Sequence, residues 1–412
     1  MIMSMNAPSD ETPKRSILAR IAFLGLLAGV SGLTHAASAS ETSIETMKPV
    51  TFTVTEQGPE KGVTGDAAKA FAKEVETRTN GKIKFDLYFS SSLMPGNEVL
   101  KGLGSGLADI GKLQTAYFPK ELPVATFLND LGSMPDNSFP LGILQGGAAQ
   151  LEIFNSPELV DELTSYNVKI LATTYAYINY DLLCTKPVVT PEEASGIRAR
   201  VGGKVFSSEA KALGMTSVPL ATGEMYDGLQ KGVVDCAVLH PAGNIDYGLI
   251  EVAKDFTPIQ MSGYLGALWA INLDAWNNLP PDAQQIMREA GITYWRVYTE
   301  GSIHKYAELA TDGVDKHGIK FHDPRQLDAV LDKFQKDYIK QETEIIKPKL
   351  PNAEQFVAKF QALLDKWKET LITEYGYKEI PRDPENIQQS WASVKDFQMG
   401  PFADRVKQEN LK

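Results

Sequence analysis

Two stretches of the chain repeat one pattern. Residues 98–109 read Glu-Val-Leu-Lys-Gly-Leu-Gly-Ser-Gly-Leu-Ala-Asp, and residues 224–235 read Glu-Met-Tyr-Asp-Gly-Leu-Gln-Lys-Gly-Val-Val-Asp. Glu, Gly, Leu, Gly and Asp coincide. Each copy predicts a short helix, a glycine stop and then a buried strand, at 110–113 and at 236–239. The copies lie too far apart for a solenoid repeat, so they predict two similar α/β lobes, each with its own sheet.

The sequence around the first copy fits the same class. Residues 50–54 predict a strand, 65–80 a helix and 83–89 a second strand, which is a β-α-β unit of an α/β fold with mostly parallel sheets. A chain of 412 residues suits two compact domains. We therefore predict a signal peptide at 1–36, a first lobe at 46–174 and a second lobe at 175–260. The chain then returns to the first lobe at 261–322, with a long helix that spans both lobes, and ends in a helical C-terminal extension at 323–412.

The first residues have the pattern of an export signal. Lys14, Arg15 and Arg20 precede an apolar run at 21–30, and small residues then end at Ala36. The run is shorter than the roughly 20 residues that span a bilayer. We expect cleavage near Ala36, with the Ala-Ser-Ala triplet at 37–39 as an alternative site, and a mature protein in the periplasm.

The net charge of the chain restricts the classes of molecule that it can bind. The formal charge is −11 and no basic stripe is present, so we expect no nucleic acid partner. An anionic ligand must then be bound by a few local cations.

The two cysteines, Cys184 and Cys236, are compatible with a disulfide in an oxidising compartment or with two buried thiols. Their apolar, strand-like contexts favour the thiols.

Strand ends predict the position of a ligand. Small molecules bind beyond the carboxyl ends of strands in open α/β sheets. Gln114 and Tyr117 follow the first repeated strand, and His240 follows the second. If the lobes face each other, these side chains line opposite walls of one cleft. Arg200 lies near the end of a further predicted strand, one residue before a Gly-Gly pair, and its planar fork of donors fits a carboxylate.

The order of these features resembles the DctP-type solute receptors of tripartite ATP-independent periplasmic (TRAP) transporters. The resemblance covers roughly residues 50–320. Five segments carry it. They are Phe71 to Ile83, which ends in Thr-Asn-Gly-Lys-Ile; the first repeat at 98–109; Thr-Pro-Glu-Glu leading to Arg-Ala-Arg-Val-Gly at 190–202; Val-Pro and the second repeat at 218–235; and Asn-Leu-Asp-Ala-Trp-Asn-Asn-Leu-Pro at 272–280.

The resemblance implies a periplasmic-binding-protein (Venus flytrap) fold, capture of a small organic acid and delivery to small and large membrane permease subunits. It places the carboxylate-binding arginine at Arg200. His240 departs from the asparagine that the family often has nearby, and Tyr180 stands where some members have a second basic residue. The candidate ligand-binding residues are Arg200, Gln114, Tyr117, Tyr177, Tyr180, Thr222, His240 and Trp269. For the tyrosines and Trp269, ordinary core packing is the alternative.

Motifs for catalysis are weak in this chain. Gly102-Leu-Gly-Ser-Gly106 lacks the final glycine of a dinucleotide loop and is not a nucleophile elbow. His317 and His322 do not form His-Glu-x-x-His. We therefore expect a monomeric receptor without metal, cofactor or enzymatic activity. The alternatives are a receptor of an ATP-driven importer, a periplasmic enzyme on a similar scaffold, or an extracytoplasmic sensor.

Overall fold

The computed structural model describes residues 43–380 and 382–411. The predicted signal peptide at 1–36 lies outside the described residues. No helix in the described part of the chain combines the length and the apolar character that a membrane span requires.

Eleven strands form two sheets in the described residues. Numbered in chain order from β1 to β11, they are Val50–Thr55, Ile83–Tyr88, Ile110–Gln114, Val168–Thr173, Tyr180–Cys184, Arg198–Val201, Thr216–Pro219, Cys236–Leu239, Asp255–Met261, Ala267–Asn272 and Lys320–Phe321. The first sheet has the order β2-β1-β3-β10-β4, and the second has the order β11-β9-β5-β8-β6-β7.

The sheets have the same mixed character. In the first sheet β1 pairs in parallel with β2 and β3, while β10 is antiparallel to its neighbours β3 and β4. In the second sheet β6 pairs in parallel with β7 and β8, while β5 is antiparallel to β8 and β9. Lys320–Phe321 (β11), at the end of the range expected to return to the first lobe, pairs instead with the second sheet.

Fifteen α-helices surround the sheets in the described residues. Numbered from α1 to α15, they are Val63–Arg78, Val99–Gly104, Pro123–Asp130, Leu141–Ile153, Pro157–Thr164, Pro191–Ala194, Lys204–Ala212, Met225–Gln230, Pro241–Asp246, Leu273–Asn277, Pro281–Glu308, Arg325–Ile346, Ala353–Tyr375, Ile387–Ala392 and Pro401–Asn410. α6 begins directly after Thr190, which forms a reciprocal capping box with Glu193.

The repeated pattern forms the same unit twice. Each copy ends its helix with a glycine at positive φ, Gly106 at 73° and Gly232 at 64°, which a residue with a side chain adopts at a cost. Asp109 then accepts a hydrogen bond from the Thr53 backbone N–H at 2.8 Å. Asp235 accepts the equivalent bond from the Arg198 backbone N–H at 2.9 Å. In both sheets this carboxylate ties the repeated strand to the parallel strand beside it.

The long helix and the C-terminal extension pack against both sheet layers. α11 contacts α1 beside the first sheet and α9 beside the second. Its 28 residues correspond to about 42 Å of helix. A short π-helical segment, Leu309–Gly313, continues it. In the extension, α12 contacts α3 and α7, and α13 contacts α4.

The two cysteines are bonded, so the interpretation as free thiols is wrong. Cys184 on β5 and Cys236 on β8 are direct partners in an antiparallel ladder. Their Cα atoms lie 4.0 Å apart and the sulfur atoms form a disulfide. The prediction that both cysteines lie in buried strands is confirmed. The local sequence does not show which strands pair, so it could not reveal the disulfide.

The disulfide leads to a stability prediction. It closes a loop with a sequence separation of 52 residues. Because a cross-link of this length restricts the unfolded chain, the double variant Cys184→Ser/Cys236→Ser should lose about 2–4 kcal/mol of unfolding free energy in urea titrations. In the wild-type protein, alkylation without reductant should label neither cysteine. Two labelled thiols in the unreduced, denatured protein would contradict the pairing.

Candidate ligand-binding cleft

A cavity of about 50 Å³ lies where the two repeated strands end. Gln114, the last residue of β3, and His240, directly after β8, both line it. Arg200 on β6 and Lys112 on β3 also reach it, one from each sheet. The carboxyl ends of strands from two sheets therefore enclose one space, as the strand-end argument predicted.

Arg200 is a buried cation without a carboxylate partner. Its side chain is 2% exposed. The Nε–H donates to the Leu220 carbonyl at 3.0 Å, and the ion pairs of the described residues include none for its guanidinium. A Cβ on Gly202 would lie 3.2 Å from one terminal nitrogen, so the glycine gives the guanidinium its space. One edge is thus held by the backbone while the terminal N–H groups stay available to a ligand.

Lys112 is a second cation of the cavity, and the sequence analysis missed it. Its Nζ lies 5.0 Å from the centroid of the Tyr298 ring, within the range of a cation–π contact. Burial lowers the pKa of Lys112, but Tyr298 and Glu56 outweigh burial, and the pKa is raised. Burial also raises the pKa of Glu56, against the effect of Lys112. Asp246, a carboxylate that lines the cavity, has its Oδ1 3.2 Å from Lys305 Nζ, so it is already paired.

His240 is a neutral hydrogen-bonding group in this cavity. Its Nδ1 accepts from the Gly243 backbone N–H at 3.0 Å and caps α9. Burial lowers its pKa well below the usual value, and the charges of Lys112 and Arg200 lower it further. With Nδ1 acting as acceptor, the proton of the neutral ring is on Nε2. The side chain therefore presents a defined N–H donor.

Aromatic rings form a continuous wall beside these polar groups. The His240 ring stacks on Tyr177 with centroids 3.4 Å apart and planes within 9°. Tyr180 stacks on Phe206 at 4.5 Å. The Tyr177 hydroxyl donates to the Tyr298 hydroxyl at 3.2 Å, which fixes the ring against the long helix. Tyr177 and Tyr180 both line the cavity and also pack against other rings, so their contact with a ligand stays a prediction.

Three predicted polar residues lie at the mouth of the cleft or next to it. Gln114 donates to the Gln57 side-chain oxygen at 3.0 Å and lines the cavity. Thr222 also lines it, and its hydroxyl shares a hydrogen bond of 3.2 Å with the Tyr117 hydroxyl. Tyr117 itself lines the neighbouring surface groove. The Tyr117–Thr222 bond joins a residue that follows β3 to one that follows β7, so it closes the gap between the two sheets.

Trp269 does not lie in the cleft. It is fully buried in β10, where its ring stacks on Tyr294 with centroids 4.5 Å apart and meets Phe71 edge-on at 5.9 Å. It packs between the first sheet and the helices α1 and α11. The alternative of core packing therefore describes this residue.

Three cavity residues that the sequence analysis did not predict differ in how recognisable they are from the local sequence. Lys112 interrupts the apolar strand that was predicted at 110–113, and a lysine inside a buried strand is rare without a partner or a function. That signal was available. Phe206 and Tyr298 come from helices α7 and α11, and their local sequence does not distinguish them from ordinary core residues. Only the packing of the helices brings them to the cavity.

Two lobes with a cation-lined cleft between them define the class of ligand-binding proteins that enclose a small anion. The region from residue 54 to residue 344 matches the family described as bacterial extracellular solute-binding protein, family 7. This is more than half of the chain, so the protein belongs to that family.

Individual relatives agree with this assignment. A solute-binding protein of Albidiferax ferrireducens is 27% identical over 230 residues, which are 54% of this chain and 64%, less than two thirds, of that protein. The C4-dicarboxylate-binding periplasmic protein of Rhodobacter capsulatus is 26% identical over 273 residues, which are 65% of this chain and 77% of that protein.

Solved structures show the same two-lobed fold. The crystal structure of a Bordetella pertussis extracytoplasmic solute receptor binding pyroglutamic acid superposes with a TM-score of 0.64 at 19% identity. The superposition covers 76% of this chain and 99% of that one. The expected periplasmic-binding-protein fold is thereby confirmed.

The neutral state of His240 predicts a pH dependence of stability. In the unfolded chain the ring takes up a proton below pH 6.5, whereas in the folded protein its pKa is lowered. Stability from the neutral ring is therefore present above pH 6.5 and is lost as the pH falls. Relative to His240→Asn, the wild type should lose up to about 1.4 kcal/mol of unfolding free energy per pH unit below 6.5. Urea titrations of both proteins at pH 7.5, 6.5 and 5.5 measure this, and a constant difference would contradict it.

Proposed function

We propose that this protein is an exported receptor of a TRAP transporter that closes around a small organic acid and delivers it to the small and large membrane permease subunits. The observation that carries the proposal is Arg200, a buried guanidinium that faces a cavity between two lobes without a carboxylate partner among the described residues. A buried charge of this kind is stable when a ligand supplies the missing counterion. Membership of the solute-binding family supports the same conclusion.

The chemistry of the cavity favours a ligand with one carboxylate and further polar groups. Arg200 is unpaired, whereas Lys112 has Glu56 nearby. We assign the carboxylate to the Arg200 fork and a hydrogen-bond acceptor on the ligand to the Nε2–H of His240. The stacked rings of Tyr180 and Phe206 then cover an apolar face of the ligand. Pyroglutamic acid, the ligand of the Bordetella receptor, combines such features.

Closure of the lobes would give the receptor its switch. We place the first lobe at 46–174 and 261–322, apart from β11, which pairs with the second sheet. We place the second lobe at 175–260 and the hinge in the chain segments between the sheets. A ligand that contacts Arg200 from one sheet and Lys112 from the other stabilises the closed state more than the open one. Closure needs no chemical step, so we expect the receptor to release its ligand chemically unchanged. We also expect the receptor to act as a monomer.

Arg200 provides the main test of the function. A thermal-shift screen with pyroglutamate, hexuronates and C4-dicarboxylates should identify a ligand, and isothermal titration then measures its affinity. A charge-assisted bond contributes about 1.5–3 kcal/mol, so Arg200→Ala should weaken binding roughly 10- to 150-fold. Arg200→Lys should rescue little of this loss, because an ammonium group cannot replace the planar fork.

Arg198 is the matched control on the same strand. It is exposed and forms two hydrogen bonds with Asp235, at 3.0 and 2.7 Å, away from the cavity. Arg198→Ala should leave the affinity within about twofold of the wild type, because an exposed ion pair contributes little. Wild-type affinity in Arg200→Ala would refute the role of Arg200. Conversion of the ligand, detected by NMR after prolonged incubation, would favour the enzyme alternative.

Export is tested separately. Relatives such as the Rhodobacter capsulatus protein are described as periplasmic, and we propose that residues 1–36 direct this chain to the same compartment. After expression of the full chain in a Gram-negative host, the periplasmic fraction should contain a protein whose mass begins at or just after residue 37. Retention of the full-length chain in the membrane fraction would contradict cleavage.

A further inference from the structure

A second cavity, of about 210 Å³, lies on the other side of the second sheet. It is separate from the cleft because successive residues of a strand point to opposite faces, and on β5 Tyr180 faces the cleft while Asp181 faces this cavity. An engineered cavity of about 150 Å³ accommodates benzene. The second cavity therefore has room for a small organic molecule.

Three aromatic rings form one side of the cavity. Phe139 precedes α4, Tyr306 belongs to α11, and Trp391 belongs to α14. The ring centroids of Phe139 and Tyr306 are 4.9 Å apart, those of Tyr306 and Trp391 are 4.7 Å apart, and those of Phe139 and Trp391 are 6.3 Å apart. Such a cluster offers several π faces to one ligand. Negative potential above aromatic faces attracts organic cations.

Asp181 supplies a buried carboxylate on the same cavity. Its side chain is 2% exposed, and its Oδ2 is fully buried without a hydrogen-bond partner among the described residues. An unpaired buried carboxylate is costly, and the cost falls when a cation binds or when a proton is taken up. The Asp181 carboxylate can therefore pair with a positively charged group of a ligand.

The nearby charges do not offset the burial of this carboxyl group. Asp328 and Arg382 are the charged groups that act on Asp181. Arg382 is already engaged, because it donates to Asp328 Oδ2 at 2.5 Å and also contacts the Pro258 carbonyl. Asp328 in turn accepts from the Gln260 backbone N–H at 2.8 Å. Arg382 and Asp328 pair with each other, so burial dominates at Asp181 and raises the pKa of its carboxyl well above the usual range; a bound cation would favour the ionised form. A further carboxylate, Asp383, stands on the rim of the cavity.

Part of the wall comes from the C-terminal extension. Arg382, Ile387 and Trp391 line the cavity, among others, and they lie beyond the matched family region, which ends at residue 344. The matched family region therefore supplies only part of this cavity, including Phe139, Asp181 and Tyr306. The extension does more than cover the outside of the lobes, since it completes a chamber with its own polar and aromatic groups.

We propose that this second cavity binds a small organic ammonium compound, with the Phe139, Tyr306 and Trp391 rings around the cationic group and Asp181 as its counterion. This site is independent of the acid held in the cleft. The aromatic cluster and the unpaired carboxylate favour a cation over an anion, because the guanidinium of Arg382 is taken up by Asp328.

The probe pair is choline and its neutral isostere 3,3-dimethyl-1-butanol, which have the same shape and differ in charge. Isothermal titration into the full-length mature protein should show choline binding, with at least about tenfold weaker binding of the alcohol. Asp181→Asn, which keeps the shape of the side chain, should weaken choline binding at least about tenfold. Trp391→Leu should weaken it as well. Asp383→Asn, on the exposed rim, is the matched control and should change it by less than about threefold.

Variants of the cleft separate the two sites. Arg200→Ala should leave choline binding unchanged, and Asp181→Asn should leave binding of the organic acid unchanged, which also shows that the variant is folded. The proposal is overturned if choline does not bind at millimolar concentration, if the alcohol binds as well as choline, or if Arg200→Ala abolishes choline binding. Displacement of choline by small carboxylates in Arg200→Ala would also overturn it, because Arg382 would then be the anchor of an anion site.

Discussion

The hydrogen bond between an aspartate carboxylate and a neighbouring strand organises both lobes. Asp109 accepts from the backbone N–H of Thr53 in the first sheet, and Asp235 accepts from that of Arg198 in the second. Each aspartate follows a glycine in the left-handed region, which ends the preceding helix and turns the chain into the strand. The register of the central strands in both sheets follows from these units. The strand ends that line the cleft, at Gln114 and His240, are placed by the same register.

The cleft concentrates positive charge within an acidic protein. The chain has a formal charge of −11, yet Arg200 and Lys112 face one buried cavity from different sheets. The backbone and a cation–π contact orient them, and carboxylates balance only part of their charge. A small anion therefore meets a local attraction that the surrounding field does not provide. The aromatic wall then adds contact area without further charge, which is how such a site distinguishes among organic acids.

Several elements were predictable because their signals are local. The two repeats, the strand-helix-strand unit at 50–54, 65–80 and 83–89, and the long helix within 261–322 all show as local patterns, and the structure contains each of them. Arg200 at the end of its strand was also visible. The disulfide, the core position of Trp269 and the role of Tyr298 were not, because each depends on which strand or helix packs beside it. Lys112 is an intermediate case. A lysine inside a buried strand was visible in the sequence, but its contact with Tyr298 was not.

The sequence by itself determined that the chain forms two α/β lobes, because periodicity and glycine stops are properties of the local backbone. It also predicted which strand ends line a cleft if the two lobes face each other, since ligands bind beyond the carboxyl ends of strands in open α/β sheets. Only the tertiary structure decided which charges stay unpaired. Arg198 and Arg200 differ by two positions on one strand, yet Asp235 pairs with the first while the second faces the cavity. Such pairing depends on distances between distant segments, and those distances exist only in the folded protein.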